Sequence, residues 1–200
     1  MLFEVKELSG PNVPPVSFAL AAGQVLPVRG ESGVGKSQML RALADLSPHE
    51  GEVCLDGTEQ QAMPATDWRR QVVLVPAESG WWAETVAEHF PARPPESSWA
   101  RLRLRDALWE SPVERLSSGE RQRLAVLRAL ALEPRVLLLD EPTANLDRDN
   151  AEAMAGLLLD YLLERQAAAV WISHDPQEIA SHGERWLEMT AEGGLLHGSV

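Results

Sequence analysis

Residues 30–37 read GESGVGKS and match the spacing G-x-x-x-x-G-K-[ST] at every required position. An apolar run, Gln24–Val28, precedes this stretch, and a helical pattern, Ser37–Leu46, follows it. Gly33 and Gly35 allow the backbone to curl so that successive N–H groups face one anion. The following helix adds the positive end of its dipole. The stretch therefore predicts a phosphate-binding loop between a strand and a helix.

The side chains of this loop suit a bound triphosphate. Lys36 supplies a positive charge for the β- and γ-phosphates, and Ser37 offers a hydroxyl to Mg²⁺. A glycine-rich turn with a chance lysine is the alternative, and the flanking strand and helix patterns argue against it. The expected ligands are therefore ATP and Mg²⁺, and Lys36 is also predicted to be catalytic. The loop residues predicted to contact nucleotide are Gly30, Glu31, Ser32, Gly33, Val34, Gly35, Lys36 and Ser37.

Two carboxylates end a second apolar run, VLLLDE at 136–141. Open α/β sheets bind ligands at the carboxyl ends of their strands, which is where this pair would lie. Asp140 is predicted to hold Mg²⁺ through water, and Glu141 to orient and deprotonate the attacking water. A solvated acidic turn is an equally common meaning of an isolated Asp-Glu pair. The phosphate loop upstream favours the catalytic interpretation.

The composition is that of one globular domain. The 200 residues are 44% hydrophobic and 24% charged, with a net charge of −12. Such acidity argues against a nucleic-acid partner, because phosphate backbones are bound by basic surfaces. No apolar run approaches the ~20 residues of a membrane span, and the start, MLFEVKEL, lacks the basic and long apolar regions of a secretory signal. The single cysteine, Cys54, has no partner for an internal disulfide. These features predict a cytosolic protein.

Apolar runs alternate with helical patterns along the chain, which is typical of a mostly parallel sheet flanked by helices. Between residues 77 and 116 the composition changes, with three tryptophans near prolines and an arginine-rich stretch at 99–109. We interpret 77–116 as a small inserted helical subdomain, with Arg101, Arg103 and Arg105 on a solvated helix face. The predicted strands are 3–8, 16–20, 24–28, 51–55, 72–75, 136–140 and 168–173, with a turn at 10–15, and the predicted helices are 37–46, 119–132 and 149–165.

Three further motifs follow in order: LSSGE at 116–120, ANLD at 144–147 and ISHD at 172–175. With the phosphate loop and the VLLLDE strand they resemble the ABC ATPase family, across nearly the whole chain. LSSGE is similar to the family's LSGGQ signature, ANLD to its D-loop, and His174 to its switch histidine. The resemblance implies an α/β P-loop NTPase core of the RecA-like type, with a mixed sheet flanked by helices and an antiparallel N-terminal β portion. It also implies a single ABC ATPase domain over 1–200, with 1–76 and 117–200 as the nucleotide-binding core.

The resemblance also implies partners and an activity. In this family the signature of one subunit grips the γ-phosphate bound to the other, so a head-to-tail homodimer with two interfacial ATP molecules is expected. The helix start that would do this offers free N–H groups, at Ser117, Ser118, Gly119 and Glu120. His174 is implied as a catalytic contact of the γ-phosphate. The implied activity is ATP hydrolysis coupled to transport through an integral membrane permease, which places the chain at the inner face of the cell membrane.

Two positions depart from the family pattern. The family usually has a glutamine after the strand 72–75, where this chain has Ala77 followed by Glu78. That glutamine helps to hold Mg²⁺ and water, so we expect slow or partner-dependent turnover. The family also stacks the base on an aromatic residue near the position of Gly10, where none stands, and only Phe3 is close in sequence. This departure leaves GTP binding open.

The contact with the permease is predicted at Trp81, Trp82 and Phe90, where the family docks a coupling helix of its membrane subunit. The same three aromatics equally fit an internal core of the subdomain. The stretches GWWAETVAEHF (80–90) and QAAAVWISHDPQEI (166–179) resemble short bacterial ATPases of the iron-export (FetA-like) kind, which implies metal export. A separate apolar stripe is predicted to be core: Leu157, Leu158, Tyr161 and Leu162.

Two alternative functions stay open. A soluble ABC protein of DNA repair or translation usually carries a long coiled-coil insertion or two cassettes, and 200 residues hold neither. A regulatory subunit that binds nucleotide and hydrolyses little would fit Ala77 and the missing aromatic. The full set of catalytic residues argues against it: Lys36, Asp140, Glu141 and His174.

Overall fold

A computed structural model describes residues 1–174 and 185–198 of the chain. Within those ranges the larger sheet has the strand order β10-β9-β3-β8-β7-β6. Strands β9, β3, β8, β7 and β6 run parallel, and β10 is antiparallel to β9. Because parallel strands share the edge at which they end, the segments after β3, β6, β7 and β8 meet there. The strands are β3 (Val25–Gly30), β6 (Val72–Val75), β7 (Val136–Asp140), β8 (Ala168–Ile172), β9 (Trp186–Thr190) and β10 (Gly193–His197).

A smaller sheet is antiparallel and has the order β2-β1-β4-β5, as the expected antiparallel N-terminal portion. Its strands are β1 (Phe3–Gly10), β2 (Val13–Leu20), β4 (Glu50–Leu55) and β5 (Thr58–Glu59). The predicted turn at 10–15 is wrong in length, because only Pro11 and Asn12 form the turn. Pro14 and Pro15 lie inside β2. They are tolerated because β2 is the last strand of its sheet, where a missing N–H breaks no ladder.

Three of the helices lie close to the predicted ranges 37–46, 119–132 and 149–165, and a helix at 65–71 was not predicted. The helices are α1 (Lys36–Leu43), α2 (Ala65–Gln71), α3 (Glu96–Arg101), α4 (Ser118–Leu130) and α5 (Arg148–Arg165). The first of them ends before the predicted Leu46, because Asp45 has a φ of 57° and the Leu46 N–H donates to the Arg41 carbonyl at 2.8 Å. None of the helices in the described ranges combines the length and the hydrophobicity that a bilayer span requires.

The larger sheet separates two hydrophobic cores. On β7, Val136 and Leu138 face a core shared with α1 and the smaller sheet. Leu137 and Leu139 face the other core, with α4, α5 and the segment 77–116. Every residue of β7 is buried, as expected for a strand that is covered on both faces. The α/β fold with a mixed sheet flanked by helices is thereby confirmed.

The apolar stripe of α5 packs into the second core, as predicted. Leu157, Leu158 and Leu162 are buried. Tyr161 is half-buried, and its hydroxyl donates to the carbonyl oxygen of Pro134 at 2.9 Å. Burial raises the pKa of Tyr161, so this hydroxyl stays protonated and keeps the hydrogen bond at neutral pH.

The segment 77–116 has less helix than predicted. Beside α3 it has only 3₁₀ turns, and its apolar residues join the second core instead of forming a core of their own. The predicted solvated helix face is wrong, because α3 ends at Arg101 and Arg103 has a φ of 52°. The three arginines instead pair with carboxylates of α4 and α5: Arg101 with Asp160 (2.6 Å), Arg103 with Asp149 (3.0 Å) and Arg105 with Glu120 (3.5 Å). The subdomain boundaries stay a prediction.

Candidate nucleotide site

The loop 30–37 joins β3 to α1 and passes close to the turn between β1 and β2. Gly33 and Gly35 have φ values of 82° and 105°, in the region that favours glycine. A Cβ on Gly35 would lie 2.0 Å from the carbonyl oxygen of Asn12. A Cβ on Gly33 would meet nothing within 4 Å. Gly35 therefore seats the loop on the turn, whereas Gly33 borders open space.

The amino end of α1 has neither a side-chain cap nor an acidic residue in its first turn. Gly35 is the N-cap residue. Lys36 is only 7% exposed, and its ammonium donates to the carbonyl oxygens of Gly30 at 2.8 Å and Glu31 at 2.9 Å. The loop thus encloses one ammonium beside free helical N–H groups, which is an anion site by its physics alone.

The carboxylates that follow β7 act on this lysine. Burial lowers the pKa of Lys36, and the charges of Glu141 and Asp140 work in the opposite direction. Asp140 is buried, at 8% exposure. Glu141 has a φ of 50°, and its N–H donates to the carbonyl oxygen of Ile172 at 3.1 Å. The backbone therefore turns out of the strand at Glu141 and presents its side chain at the sheet edge.

His174 follows β8 and reaches Glu141. Its Nε2 lies 3.1 Å from Oε1 of Glu141, and the two side chains are 53% and 32% exposed. The structure thus assembles four of the five predicted catalytic or metal-binding residues at one edge of the sheet: Lys36, Asp140, Glu141 and His174. Asp175, the last residue of the ISHD motif, lies outside the described residues.

The residues at this edge fit a magnesium–triphosphate group. The predicted contacts Glu31, Ser32, Gly33 and Ser37 are exposed, while Val34 packs partly against the first core. The Ser37 hydroxyl and the Asp140 carboxylate are hard oxygen donors of the kind that Mg²⁺ prefers. No group of three or more His, Cys, Asp or Glu in the described ranges could hold a metal. Mg²⁺ usually binds through one or two protein ligands plus phosphates and water.

The LSSGE motif forms the start of α4 and is closed by a capping box. The Ser117 hydroxyl accepts from the Glu120 N–H at 3.2 Å, and a Glu120 carboxylate oxygen accepts from the Ser117 N–H at 2.9 Å. The Ser117 N–H holds the pKa of Glu120 below its usual range. Because the Ser117 hydroxyl also donates to the Glu120 carboxylate at 2.8 Å, both side chains are engaged in this cap, and the groups left for a ligand are at Ser118 and Gly119. Within one subunit, Glu120 therefore stabilises the start of α4.

The ANLD motif lies directly against this helix start. A Cβ on Gly119 would sit 3.3 Å from a methyl group of Leu146. Asp147 caps α5, with its carboxylate accepting from the Asn150 N–H at 3.0 Å. Arg123 of α4 donates to the Asn150 side chain, and burial lowers its pKa. The two motifs thus form one joined surface, a link that sequence spacing alone did not indicate.

Neither Glu78 nor Phe3, the two residues considered as substitutes at the departures from the family pattern, is shown by the structure to act as one. Ala77 follows β6 at the catalytic edge, and Glu78 beside it is exposed. Phe3 is fully buried in the first core, so it cannot stack on a base. Two residues after Gly10, the Asn12 carbonyl oxygen packs against Gly35 of the loop. Sequence reasoning missed this contact, although an Asn in a Pro-Asn turn is a common signal for a positive φ.

The three aromatics of 81–90 divide between the two predicted roles. Phe90 is 9% exposed and belongs to the second core. Trp81 is partly buried against the same core. Trp82 is 72% exposed. Only Trp82 therefore has the exposure of a docking residue.

The sequence matches the model of the ABC transporter family over residues 13–144. It is 30% identical over 193 residues to the probable iron export ATP-binding protein FetA of Escherichia coli (strain K12), covering 90% of this chain and 85% of that protein. It is also 35% identical over 205 residues to the lipoprotein-releasing system ATP-binding protein LolD of Bordetella avium (strain 197N), covering 92% and 86%.

The fold agrees with that of solved ATP-binding cassettes. A dimeric cassette in a post-hydrolysis state, bound to ADP and Pi, superimposes with a TM-score of 0.82 at 24% identity and covers 98% of both chains. The resemblance inferred from the motifs is confirmed by the family match and by both relatives. The chain belongs to the ABC transporter family, in which it is an ATP-binding subunit with ATPase activity.

Proposed function

We propose that the chain works as a homodimer that closes on two ATP molecules, hydrolyses them, and thereby drives transport through a separate membrane permease. One observation carries this proposal: a single sheet edge brings together Lys36, Asp140, Glu141 and His174. Cations and carboxylates at one edge are what phosphoryl transfer to water requires. The buried position of β7 keeps the two carboxylates fixed relative to the loop.

Each residue has a defined part in the proposed hydrolysis. The loop 30–37 binds the phosphates through its N–H groups, and Lys36 moves from the loop carbonyls onto the β- and γ-phosphates. Glu141 orients a water and accepts its proton as the water attacks the γ-phosphate. His174 holds Glu141 at 3.1 Å and contacts the γ-phosphate. Ser37 and Asp140 would hold Mg²⁺, which neutralises charge on the phosphate oxygens.

The second half of each site comes from the other subunit. The surface formed by Ser117, Ser118 and Gly119 has no matching catalytic carboxylate of its own, since Glu120 is engaged in the helix cap. Under a two-fold axis, each subunit gives its loop to one ATP and its α4 start to the other. The packing of Leu146 on Gly119 supports a role for ANLD in shaping this interface.

A mixing experiment tests the head-to-tail arrangement. Lys36→Ala removes the loop half of both sites in a homodimer, and Gly119→Asp blocks the α4 half by adding a negative charge. Each variant alone is expected to be nearly inactive. In an equimolar mixture half of the dimers are mixed and hold one intact site, so about a quarter of wild-type activity should return if the sites act independently.

The matched control mixes Lys36→Ala with Glu141→Gln. Both residues belong to the loop half, so every mixed dimer lacks an intact site and activity stays low. The measurement is phosphate release at saturating ATP. Equal recovery in both mixtures, or full activity of Gly119→Asp alone, would contradict the composite site.

The permease and its cargo extend the proposal. The membrane partner would hold the chain at the inner face of the membrane in the cytoplasm. We propose a metal ion, iron in the first instance, as the cargo, supported by the 30% identity to the iron-export relative. The relative of the lipoprotein-releasing system is 35% identical, so we expect the permease, and not this chain, to select the cargo. ATPase stimulation by Fe²⁺ in vesicles that carry the chain with its permease measures this directly.

The Ala77 position predicts an activity below that of a glutamine-bearing relative. Ala77→Gln is expected to raise the rate of ATP hydrolysis several-fold and to lower the Mg²⁺ concentration needed for half the maximal rate. An amide at this edge can bond both metal-bound water and the attacking water. Ala77→Met adds a side chain of about the same size as that of glutamine but without the amide, and serves as the control. An unchanged rate of hydrolysis in Ala77→Gln would contradict the proposal that the missing glutamine slows turnover.

A further inference from the structure

Arg123 of α4 is a charged side chain in the interior of the molecule. It is 9% exposed, and its Nη1 donates to the side-chain oxygen of Asn150 on α5. Its Nε is also buried, and no group in the described part of the chain accepts a hydrogen bond from it. The exposed Arg103 pairs with Asp149 at 3.0 Å, whereas Arg123 forms no ion pair with any described residue. A desolvated guanidinium with incomplete pairing is costly, and stability alone does not explain it.

This guanidinium lies between the caps of two helices. The side chain of Asn150, its acceptor, donates to the Asp147 carboxylate at 2.6 Å, and Asp147 caps α5. On the other side, the Glu120 carboxylate closes the capping box of α4. Burial lowers the pKa of Arg123, and the charges of Glu120 and Asp147 act in the opposite direction, so both carboxylates are close enough to interact with it. Arg123 thus links the amino ends of α4 and α5.

In the proposed dimer, these two amino ends face the nucleotide of the partner subunit. The ANLD segment rests on Gly119, where an added Cβ would lie 3.3 Å from a methyl group of Leu146 and 3.7 Å from the Asn145 carbonyl oxygen. Gly119 also carries one of the N–H groups that are left for the γ-phosphate. A shift of Leu146 would therefore move the atoms beside the phosphate. Rates of reaction are sensitive to such displacements, even of about 1 Å.

We propose that Arg123 is a positioning residue for the ATP site of the partner subunit. Its guanidinium holds Asn150, and through it the cap of α5, so that LSSGE and ANLD meet the partner's γ-phosphate as one rigid surface. Its charge also offsets the two capping carboxylates, which would otherwise repel phosphate, and burial leaves that charge less screened by salt. This inference rests on the proposed function.

Arg123→Met keeps the apolar stem of the side chain and removes its charge and its donors. We expect ATP hydrolysis at saturating ATP to fall by about 10–100-fold, the effect of a misplaced group outside the chemistry. The affinity of the subunit for ATP should be unchanged, because the loop 30–37 is intact. The midpoint of urea denaturation should not fall, because neither Glu120 nor Asp147 is buried. Arg123→Lys, which keeps the charge and a donor for Asn150, should restore most of the activity.

Mixed dimers locate the damage. Arg123→Met has an intact loop half and Lys36→Ala has an intact α4 half, so their equimolar mixture should return about a quarter of wild-type activity. Arg123→Met mixed with Gly119→Asp should show no recovery, because both variants damage the α4 half. A chain that failed to fold could not complement Lys36→Ala, so the first mixture also controls for folding.

Two further variants test the contact itself. Asn150→Leu should also slow hydrolysis, and adding it to Arg123→Met should cause no further loss, because the two residues act through one contact. Arg128→Met is the matched control. Arg128 is a second arginine of α4, in its last turn, and donates to the Gly80 carbonyl oxygen at 3.0 Å. It lies away from the amino end of the helix, so this variant should keep its activity without the permease.

The failure of this inference differs from the failure of the proposed function. Wild-type activity of Arg123→Met, a lower ATP affinity or urea midpoint, no rescue by Arg123→Lys, or multiplied losses in the double variant would each contradict the positioning role. So would recovery with Gly119→Asp, or an equal loss in Arg128→Met. No recovery with Lys36→Ala would contradict it too, provided that Lys36→Ala mixed with Gly119→Asp recovers. If that reference mixture also stayed inactive, the proposed composite site itself would be wrong.

Discussion

Glu141→Gln is expected to lower steady-state ATP hydrolysis by about 10²–10⁴-fold, the range that a positioned general base contributes. The amide has the same shape as the carboxylate but cannot accept the proton of the attacking water. Its oxygen can still accept from His174, which lies 3.1 Å from the carboxylate in the wild type. Lys36 and the phosphate loop are unchanged, so ATP binding should persist. Phosphate release measures the rate of hydrolysis. Light scattering measures the dimer that should form when the variant binds ATP.

The control for this result is Glu78→Gln at the same sheet edge. Glu78 is exposed and follows β6, one residue after the position of the family's glutamine. If Glu141 is the base, Glu78→Gln should keep most of the activity. A large loss in Glu78→Gln with little change in Glu141→Gln would move the base to Glu78. If neither the wild type nor Glu141→Gln released phosphate, even with the permease present, the alternative of a regulatory subunit that binds nucleotide without hydrolysing it would be favoured.

The predictable part of this molecule is the part that depends on local pattern. The glycine spacing of 30–37 and the apolar run of 136–140 are encoded in consecutive residues, and both elements lie where the sequence places them. The rule that parallel strands end at one edge then brings Lys36 and Glu141 together without any knowledge of side-chain contacts. His174 follows from the same rule, because β8 lies between β3 and β7.

The predictions that were wrong concern features that depend on which strand or helix lies beside which. A Pro-Pro pair usually ends a strand, so β2 was predicted to begin three residues late. Its edge position, a property of the sheet order, removes the cost of the two prolines. Likewise the alternation of Arg101, Arg103 and Arg105 fits a solvated helix, and only the positions of α4 and α5 supply the three carboxylates with which they pair.

The contacts between motifs were also beyond the sequence. Nothing in LSSGE or ANLD indicates that Leu146 packs on Gly119, because the residues are far apart in the chain. Arg128 appears in the sequence as one polar position in a helix, and its contact with two indole rings depends on the fold of 77–91. Local signals therefore predicted the catalytic residues, while the contacts between distant motifs depended on the fold.

The second large effect is expected at Gly35. Gly35→Ala should lower the free energy of unfolding by roughly 4 kcal/mol, a loss seen only for specific severe lesions. An added Cβ would lie 2.0 Å from the Asn12 carbonyl oxygen, which is backbone and cannot rotate away. The φ of 105° adds strain that L-residues rarely sustain. The turn between β1 and β2 would have to separate from α1, and ATP binding should fall with it. Urea denaturation and nucleotide titration measure both losses.

Gly33→Ala separates this contact from the cost of a positive φ alone. Gly33 belongs to the same loop and has a φ of 82°, but its added Cβ would meet nothing within 4 Å. Its unfolding free energy should therefore fall by only about 1–2 kcal/mol, the cost of a left-handed conformation for an L-residue. Because the two variants share chemistry and location, the difference between them reports the contact with Asn12. Equal losses of unfolding free energy in the two variants would mean that the contact between the phosphate loop and the turn at Asn12 does not stabilise the protein.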